Sequence, residues 1–367
     1  MTTILIVAGD PSGDLHGAGL IRALKSARPG LKVAAVGGPY MREACDEFLE
    51  DLASRGVTGF WEPVLKLRFL TALALGLRRF MRERKPIAVV CIDYYGFNRR
   101  VLGIAQSAGV PAFYYISPQV WASRPGRVKV LKRLLRKMLV IFPFEEKVYA
   151  EAGVPVSFVG HPLLDLLPEP SVRGGIGPAP LIGILPGSRR SEIARHLPLM
   201  LESYARLKAR FPGSQACVFA AASQPDSVYE AAKRAGLPIV RERDYAKRKQ
   251  LDLALCSSGT ATLENALLGV PMVVVYRMSR LTYWIARALI RVRYIAMANL
   301  LADRGLVPEL IQDDAIPGKV SAAAEKILLD GSAYAALRND LLALRGKLGG
   351  PGAAGRAAAE ILAEAGA

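Results

Sequence analysis

Ile4-Leu5-Ile6-Val7-Ala8-Gly9-Asp10-Pro11-Ser12-Gly13-Asp14 opens the chain with an apolar run that stops at glycine and a polar turn. A helical stretch through Ala18–Lys25 follows it. A short buried strand, a tight loop and a helix make the first half of a βαβ unit. The same rhythm recurs. Further strands are expected at Lys32–Val36, Val89–Ile92, Ala112–Ile116, Met138–Ile141 and Ser157–Val159. After the Pro- and Gly-rich stretch Pro168–Pro180 the pattern restarts at Leu181–Leu185, with strands near Ala216–Ala220, Leu253–Cys256 and Met272–Tyr276. No internal repeat is detectable. The expected architecture is α/β, with two doubly wound parallel-sheet domains facing a cleft: 1–168, 181–348, and a tail helix in 349–367 that can return to the first domain. The break at Gly349-Gly350-Pro351-Gly352 gives the chain a turn before that last helix, expected around Ala357–Ala365.

Length agrees with two domains, because 367 residues exceed the usual single-domain range of about 100–200. The balance of 49 basic and 32 acidic side chains leaves +17, so partners should be anionic. Cys45, Cys91, Cys217 and Cys256 show no paired ligand spacing, which fits a reducing compartment. The first residues carry no basic leader, and no uncharged apolar run reaches the roughly 18–20 residues of a spanning helix. A soluble or peripheral cytoplasmic protein is expected.

Candidate chemistry gathers where strands end. Gly9, Asp10, Ser12, Gly13 and Asp14 form a strand-to-helix loop in which free N–H groups and the helix dipole can hold an anion. A plain turn with Ser12 or Asp14 capping the helix reads equally well. Asp93 follows the strand Ala88–Ile92 and leads into Tyr94-Tyr95-Gly96-Phe97-Asn98, where it can act as a general base or cap the next helix. Leu185-Pro186-Gly187-Ser188-Arg189 and Ser257-Ser258-Gly259-Thr260-Ala261-Thr262-Leu263-Glu264 repeat the loop-to-helix logic in the second half, and the pair suits a diphosphate. His16, His161 and His196 are too scattered to suggest a metal site, and no Asp-x-Asp pair is present. No metal and no cofactor is expected.

Between Val57 and Phe80 an apolar series that includes Phe60, Trp61, Val64, Leu65, Phe69 and Leu70 is interleaved with Lys66, Arg68, Arg78 and Arg79. It reads either as a core helix with a solvated face or as an apolar surface with a basic rim. Arg124–Lys137 and Arg277–Arg293, the latter with Tyr283 and Trp284, add basic character.

Taken in order, these stretches resemble the lipid-A-disaccharide synthase family. The resemblance runs through Gly9–Asp14, Ile92–Asn98, Ser117–Ala122, Phe142–Glu145, Phe158–Leu163, Leu185–Arg189, Ser258–Glu264, Met272–Arg277, Asn299–Leu301 and Pro308–Gln312. It implies a GT-B glycosyltransferase that moves diacylglucosamine from its UDP derivative onto diacylglucosamine 1-phosphate, with inversion and release of UDP. It further implies Asp93 as the base on the acceptor's 6-hydroxyl and Arg189 as a donor-site arginine. Ser258, Gly259, Thr260, Glu264, Asn299, Glu309 and Gln312 match the family's nucleotide side, Ser188 joins them by the phosphate-loop logic above, and Asn98, in the loop after Asp93, is a further substrate-binding candidate. The resemblance also implies a homodimer with exchanged carboxyl-terminal elements, while the apolar and basic stretches themselves favour an anionic membrane surface and the paired phosphate loops with Asp93 argue against nucleic acid as partner. Asp10 stands where the family usually has Glu, and Gly96 where many members have a second acid, so the base role rests on Asp93 alone. Other GT-B activities, such as N-acetylglucosamine transfer or UDP-sugar epimerisation, share this loop logic. A noncatalytic binder of polyanions would share the charge.

Overall fold

The structure, a computed structural model, describes residues 2–54, 62–118, 126–171, 175–177, 179–222, 224–242, 244–289 and 292–366. The chain divides into two units, the first made of Met1–Asp165 with Leu348–Ala367 and the second of Leu166–Lys347.

The first unit is built on a seven-stranded parallel sheet: β1 (Thr3–Ala8), β2 (Lys32–Gly37), β3 (Glu47–Asp51), β4 (Ala88–Ile92), β5 (Ala112–Tyr115), β6 (Lys137–Val140) and β7 (Val156–Phe158). Its spatial order is β3-β2-β1-β4-β5-β6-β7. The central strands read as continuous Ile, Leu and Val because helices cover both faces; Ile4 through Ala8 and Ala88 through Ile92 are all fully buried. Each such aliphatic side chain contributes about 1.5–3 kcal/mol on removal from water. Helix Ala353–Glu364 returns to this unit and packs on helix Pro11–Ala27 through the buried Ala353, Ala357, Ala358 and Ile361. Lys137 and Arg136 hold its far end through Glu360 and Glu364 at 2.7 and 2.9 Å.

The second unit holds six parallel strands: β8 (Leu181–Leu185), β9 (Gln215–Phe219), β10 (Ile239–Val240), β11 (Leu253–Ser257), β12 (Met272–Tyr276) and β13 (Glu309–Ile311), in the order β10-β9-β8-β11-β12-β13. In each sheet the strand order reverses once, between β1 and β4 and between β8 and β11. Crevices at such reversals, beyond the carboxyl ends of the strands, are where open α/β sheets take their ligands.

Three strands were absent from the expected pattern: β3, β10 and β13. All are edge strands. Glu47-Phe48-Leu49-Glu50-Asp51 is mostly half-buried and carries three acids, and β10 is two residues long. An edge strand faces solvent on one side and needs no long apolar run. The first helix also begins earlier than its apolar spacing suggested, at Pro11, because proline at the first helical position and Asp10 as cap start it there.

Candidate active site

In the first unit the loops after β1 and β4 meet at the strand-order reversal. Asp93 leaves β4 with φ +42 and Tyr94 follows with φ +40, a left-handed pair that non-glycine residues adopt only under constraint. Two buried side chains supply it. Asn98, from the first turns of helix Tyr95–Ser107, donates its amide to Ile92 O at 2.9 Å and Asp93 O at 2.8 Å. The Tyr114 hydroxyl donates to the same Asp93 carbonyl. Asn98 therefore positions Asp93 from below rather than standing open to a ligand. The Asp93 carboxyl is half-buried, and burial, with the nearby Asp10 charge adding to it, pushes it up to about 6. A carboxylate near that value is a competent base at neutral pH.

The opening loop divides its labour. The Asp10 carboxylate accepts from Gly13 N at 2.7 Å and caps its own helix. Asp14, expected near a ligand or at the cap of its own helix, is instead buried and accepts from Gly38 N, Tyr40 N and Met41 N at 2.8, 3.0 and 2.9 Å. Its carboxylate caps the next helix, Pro39–Ala44, whose own cap position is a glycine. Gly9 is packed under Tyr94, Gly13 is buried, and Ser12 stands exposed on the first helical turn.

In the second unit the loop after β8 turns at Gly187, with φ +120. A Cβ there would lie 2.8 Å from Glu192 Oε2 and 3.3 Å from Ser257 Oγ, so the loops after β8 and β11 come together at this point. Ser188 N and Arg189 N each donate to Glu192 Oε2 at 3.3 Å. The Arg189 guanidinium, three-quarters exposed, reaches Glu192 Oε1 at 3.0 Å. A carboxylate thus already sits on the backbone donors and cation that an anionic ligand would use. The second loop is different: helix Thr260–Leu267 starts at Gly259, φ +146, and no side chain caps it. Gly259 and Thr260 are exposed there, and Ser258 donates to Ile295 O at 2.9 Å.

The remaining donor-side candidates work as clamps. Asn299 bonds Val307 through both ends of its amide at 2.9 Å. Glu309 accepts from Ile295 N, Ala296 N and Asn299 Nδ2 at 2.9, 3.0 and 2.8 Å. Gln312, at φ +54, holds Met278 by its N–H and its carbonyl at 2.7 and 3.2 Å. Glu264 accepts from Tyr245 OH at 2.9 Å and pairs with Arg248.

His196, too isolated in the sequence to suggest a metal site, takes a structural place beside these loops. Its Nε2 accepts from Arg277 N at 2.9 Å, so Nδ1 carries the proton and donates to Pro186 O at 2.9 Å. One neutral imidazole ties the β8 loop to the end of β12, and burial holds its pKa below the usual histidine value. Arg248, lodged between Glu242 and Glu264 under the Phe219 and Tyr245 rings, had no place in the sequence analysis. Neither residue belongs to a recognisable spacing.

Phe60 and Trp61 lie outside the described residues. Val64 and Leu65 belong to helix Glu62–Arg84, with side chains outside the description, while Phe69 and Leu70 are half-buried against the core. The same helix exposes Leu67 and Leu75 beside Arg68, Arg78 and Arg79. Among the described residues no helix is long and apolar enough to cross a membrane, and no three His, Cys, Asp or Glu side chains form a group that could hold a metal ion.

Comparison with known proteins gives these loops a context. A family model described as lipid-A-disaccharide synthetase matches residues 4–351. The lipid-A-disaccharide synthase of Trichlorobacter lovleyi is 40% identical over 369 residues, spanning 98% of this chain and 96% of that protein. That of Geobacter sulfurreducens is 41% identical with the same coverage. Among solved structures, the S. aureus MnaA–UDP complex superposes with a TM-score of 0.69 at 13% identity over 99% of this chain and 96% of that one. The calicheamicin glycosyltransferase CalG4 gives 0.63 at 17% identity over 100% and 98%. At such identities the structural likeness establishes the fold, two Rossmann-like α/β domains of the GT-B class. The sequence match reaches further: across nearly its whole length the chain belongs to the lipid-A-disaccharide synthetase family.

Proposed function

We propose that the chain is an inverting glycosyltransferase that joins UDP-2,3-diacylglucosamine to 2,3-diacylglucosamine 1-phosphate, giving the lipid A disaccharide 1-phosphate and UDP. The observation that carries this reading is the family match over residues 4–351 in a chain whose Asp93 is held, half-buried, at the end of β4. Asp93 takes the proton of the acceptor's 6-hydroxyl as that oxygen attacks the anomeric carbon. The bond from that carbon to the UDP oxygen breaks, and the departing diphosphate takes up the electron pair. Arg189, the Ser188 and Arg189 N–H groups and the uncapped helix start at Gly259–Thr260 are the donors available to that charge. For the β8 loop this requires Glu192 to yield its place. Asn98, Asn299, Glu309 and Gln312 act by holding loops in shape.

The reading extends to an anionic membrane surface at the cytoplasmic side, supported by the +17 charge and by Leu67, Leu75 and their neighbouring arginines. It also extends to a homodimer, in which exchange between chains would reproduce the contact of helix Ala353–Glu364 with helix Pro11–Ala27; light scattering on the purified protein tests that element. The reaction itself is tested by incubating the protein with both substrates in detergent micelles and following products by mass spectrometry. Disaccharide 1-phosphate and UDP in equal amounts are expected. A folded protein that binds UDP and forms no disaccharide would overturn the substrate assignment.

A further inference from the structure

Within the first unit a cavity of about 930 Å³ lies between helix Tyr95–Ser107, helix Gly126–Leu134 and Arg78 of helix Glu62–Arg84. Arg78, Arg99, Arg100 and Arg133 line it, Ile104 and Leu134 supply apolar wall, and no acidic residue takes part. None of the four guanidinium groups forms an ion pair with any described residue, whereas the adjacent Arg79 pairs with Glu83 at 2.7 Å. Four like charges around one void repel one another until an anion enters. Guanidinium forks match the planar, bidentate geometry of phosphate oxygens.

The cavity runs along helix Tyr95–Ser107 from Gly96, three residues after Asp93, to Gln106 and Ser107 at its far end, where the Gln106 amide donates to Arg133 O at 3.0 Å. Gly96, the second residue of the helix that follows Asp93, lines it, and a Cβ at Gly96 would meet nothing within 4 Å. Arg99 and Arg100 come about one helical turn later, roughly 5 Å along the axis. On a hexosamine acceptor the attacking 6-hydroxyl and the anomeric phosphate stand at opposite ends of the sugar. A ligand with its hydroxyl at Asp93 can therefore direct its phosphate along the helix towards Arg99 and Arg100, the two arginines nearest Gly96.

We infer that this arginine-lined cavity is the subsite for the phosphate of an acylated sugar acceptor, an inference that rests on the glycosyl transfer proposed above. The chemistry recognised is a phosphate joined to an apolar body, with Ile104 and Leu134 beside the charge. A phospholipid headgroup shares that chemistry, so the test separates the two sources.

The double variant Arg99→Gln/Arg133→Gln changes two exposed side chains and should fold normally. Steady-state kinetics in neutral micelles would use diacylglucosamine 1-phosphate and, in parallel, diacylglucosamine without the phosphate. Wild-type protein should prefer the phosphorylated acceptor. In the variant its KM should rise about tenfold or more and approach that of the unphosphorylated one, with the KM for the UDP-sugar unchanged within twofold. An unchanged preference in the variant overturns the inference. If that unchanged preference accompanies weaker retention on phosphatidylglycerol vesicles, the cavity serves bilayer headgroups instead. Wild-type protein that turns over neither acceptor sinks the glycosyl transfer reading itself, a result distinct from turnover with unaltered preference.

Discussion

The ring of Tyr94 lies so close over Gly9 that a Cβ at residue 9 would stand 2.0 Å from its Cδ1. The loops after β1 and β4 are thereby interlocked at the strand-order reversal, with Asp93 next to the ring. Glycine is required here for space, since no side chain fits without moving the tyrosine. Gly9→Ala should cost about 1–3 kcal/mol of stability, the usual penalty of overpacking. It should lower kcat by a larger factor than KM, because the displaced Tyr94 carries the Asp93 backbone with it. Thermal melts alongside initial rates check this; a variant with wild-type turnover would show that the interlock does not set the base.

Asp93→Asn should reduce turnover by about 10²–10⁴, the scale of a positioned general base. The same change should raise stability. Asp93 binds its proton more tightly in the fold, at about 6 against an ordinary 3.8, so the stability it contributes is present at low pH and lost as pH rises through 6. At pH 8 the folded protein carries the cost of an ionised, half-buried carboxylate, up to about 3 kcal/mol for such a shift. Asparagine removes the charge and accepts the left-handed backbone. The wild-type kcat/KM profile should accordingly lose activity below pH 6, and Asp10→Asn, which can keep the helix cap while removing the neighbouring charge, should move that limb to lower pH. A limb that stays put in the Asp10 variant would leave burial as the sole cause of the shift.

How much of this was legible beforehand follows from where the information resides. The buried strands announce themselves because a strand covered on both faces must be apolar throughout, as Thr3–Ala8 and Met272–Tyr276 are. The edge strands β3, β10 and β13 carry no such demand. Loop positions were readable from strand ends, but the partners of each side chain were not. Asp14 looks like a ligand in sequence and caps a helix 25 residues away. Glu309 and Asn299 look like nucleotide contacts and clamp each other at 2.8 Å. His196 and Arg248 acquire their roles only when strands distant in sequence are brought side by side. Four arginines at positions 78, 99, 100 and 133 make no motif, and only the packing of three helices turns them into one cavity.

Arg189→Ala should raise the KM for the UDP-sugar by about 10–100-fold, the equivalent of about 1.4–2.7 kcal/mol, while leaving the melting temperature within a degree or two. The side chain is 77% exposed and its ion pair with Glu192 is a surface pair of small worth. Arg189→Lys should recover only part of the affinity, since a point charge lacks the fork of the guanidinium. Donor titrations with all three proteins decide it; equal donor KM values would remove Arg189 from the diphosphate.

The histidines of the first unit supply an opposite pH dependence to that of Asp93. Burial, with His16 nearby, lowers His161 from 6.5 to about 3, and burial lowers His16 to about 4. The fold therefore holds both rings neutral, and their contribution is fully present above pH 6.5 and lost as pH falls towards those values. Geometry agrees for His161: Nδ1 accepts from Leu163 N at 3.1 Å, a bond that protonation there would abolish. Each pKa unit of separation is worth about 1.4 kcal/mol, so acidification from pH 7 to pH 5 should lower the stability of the unit by about 2 kcal/mol for each histidine. Carboxylate titration adds little over that interval, and the ionisation of Asp93 acts in the opposing sense. His161→Asn keeps an acceptor near the Nδ1 position and forfeits packing against Phe142, whose ring centroid lies 5.1 Å away. The variant should thus start less stable at pH 7 and lose less on acidification. Urea midpoints at pH 7, 6 and 5 measure both quantities, and a variant with the wild-type slope would show that His161 does not titrate with unfolding.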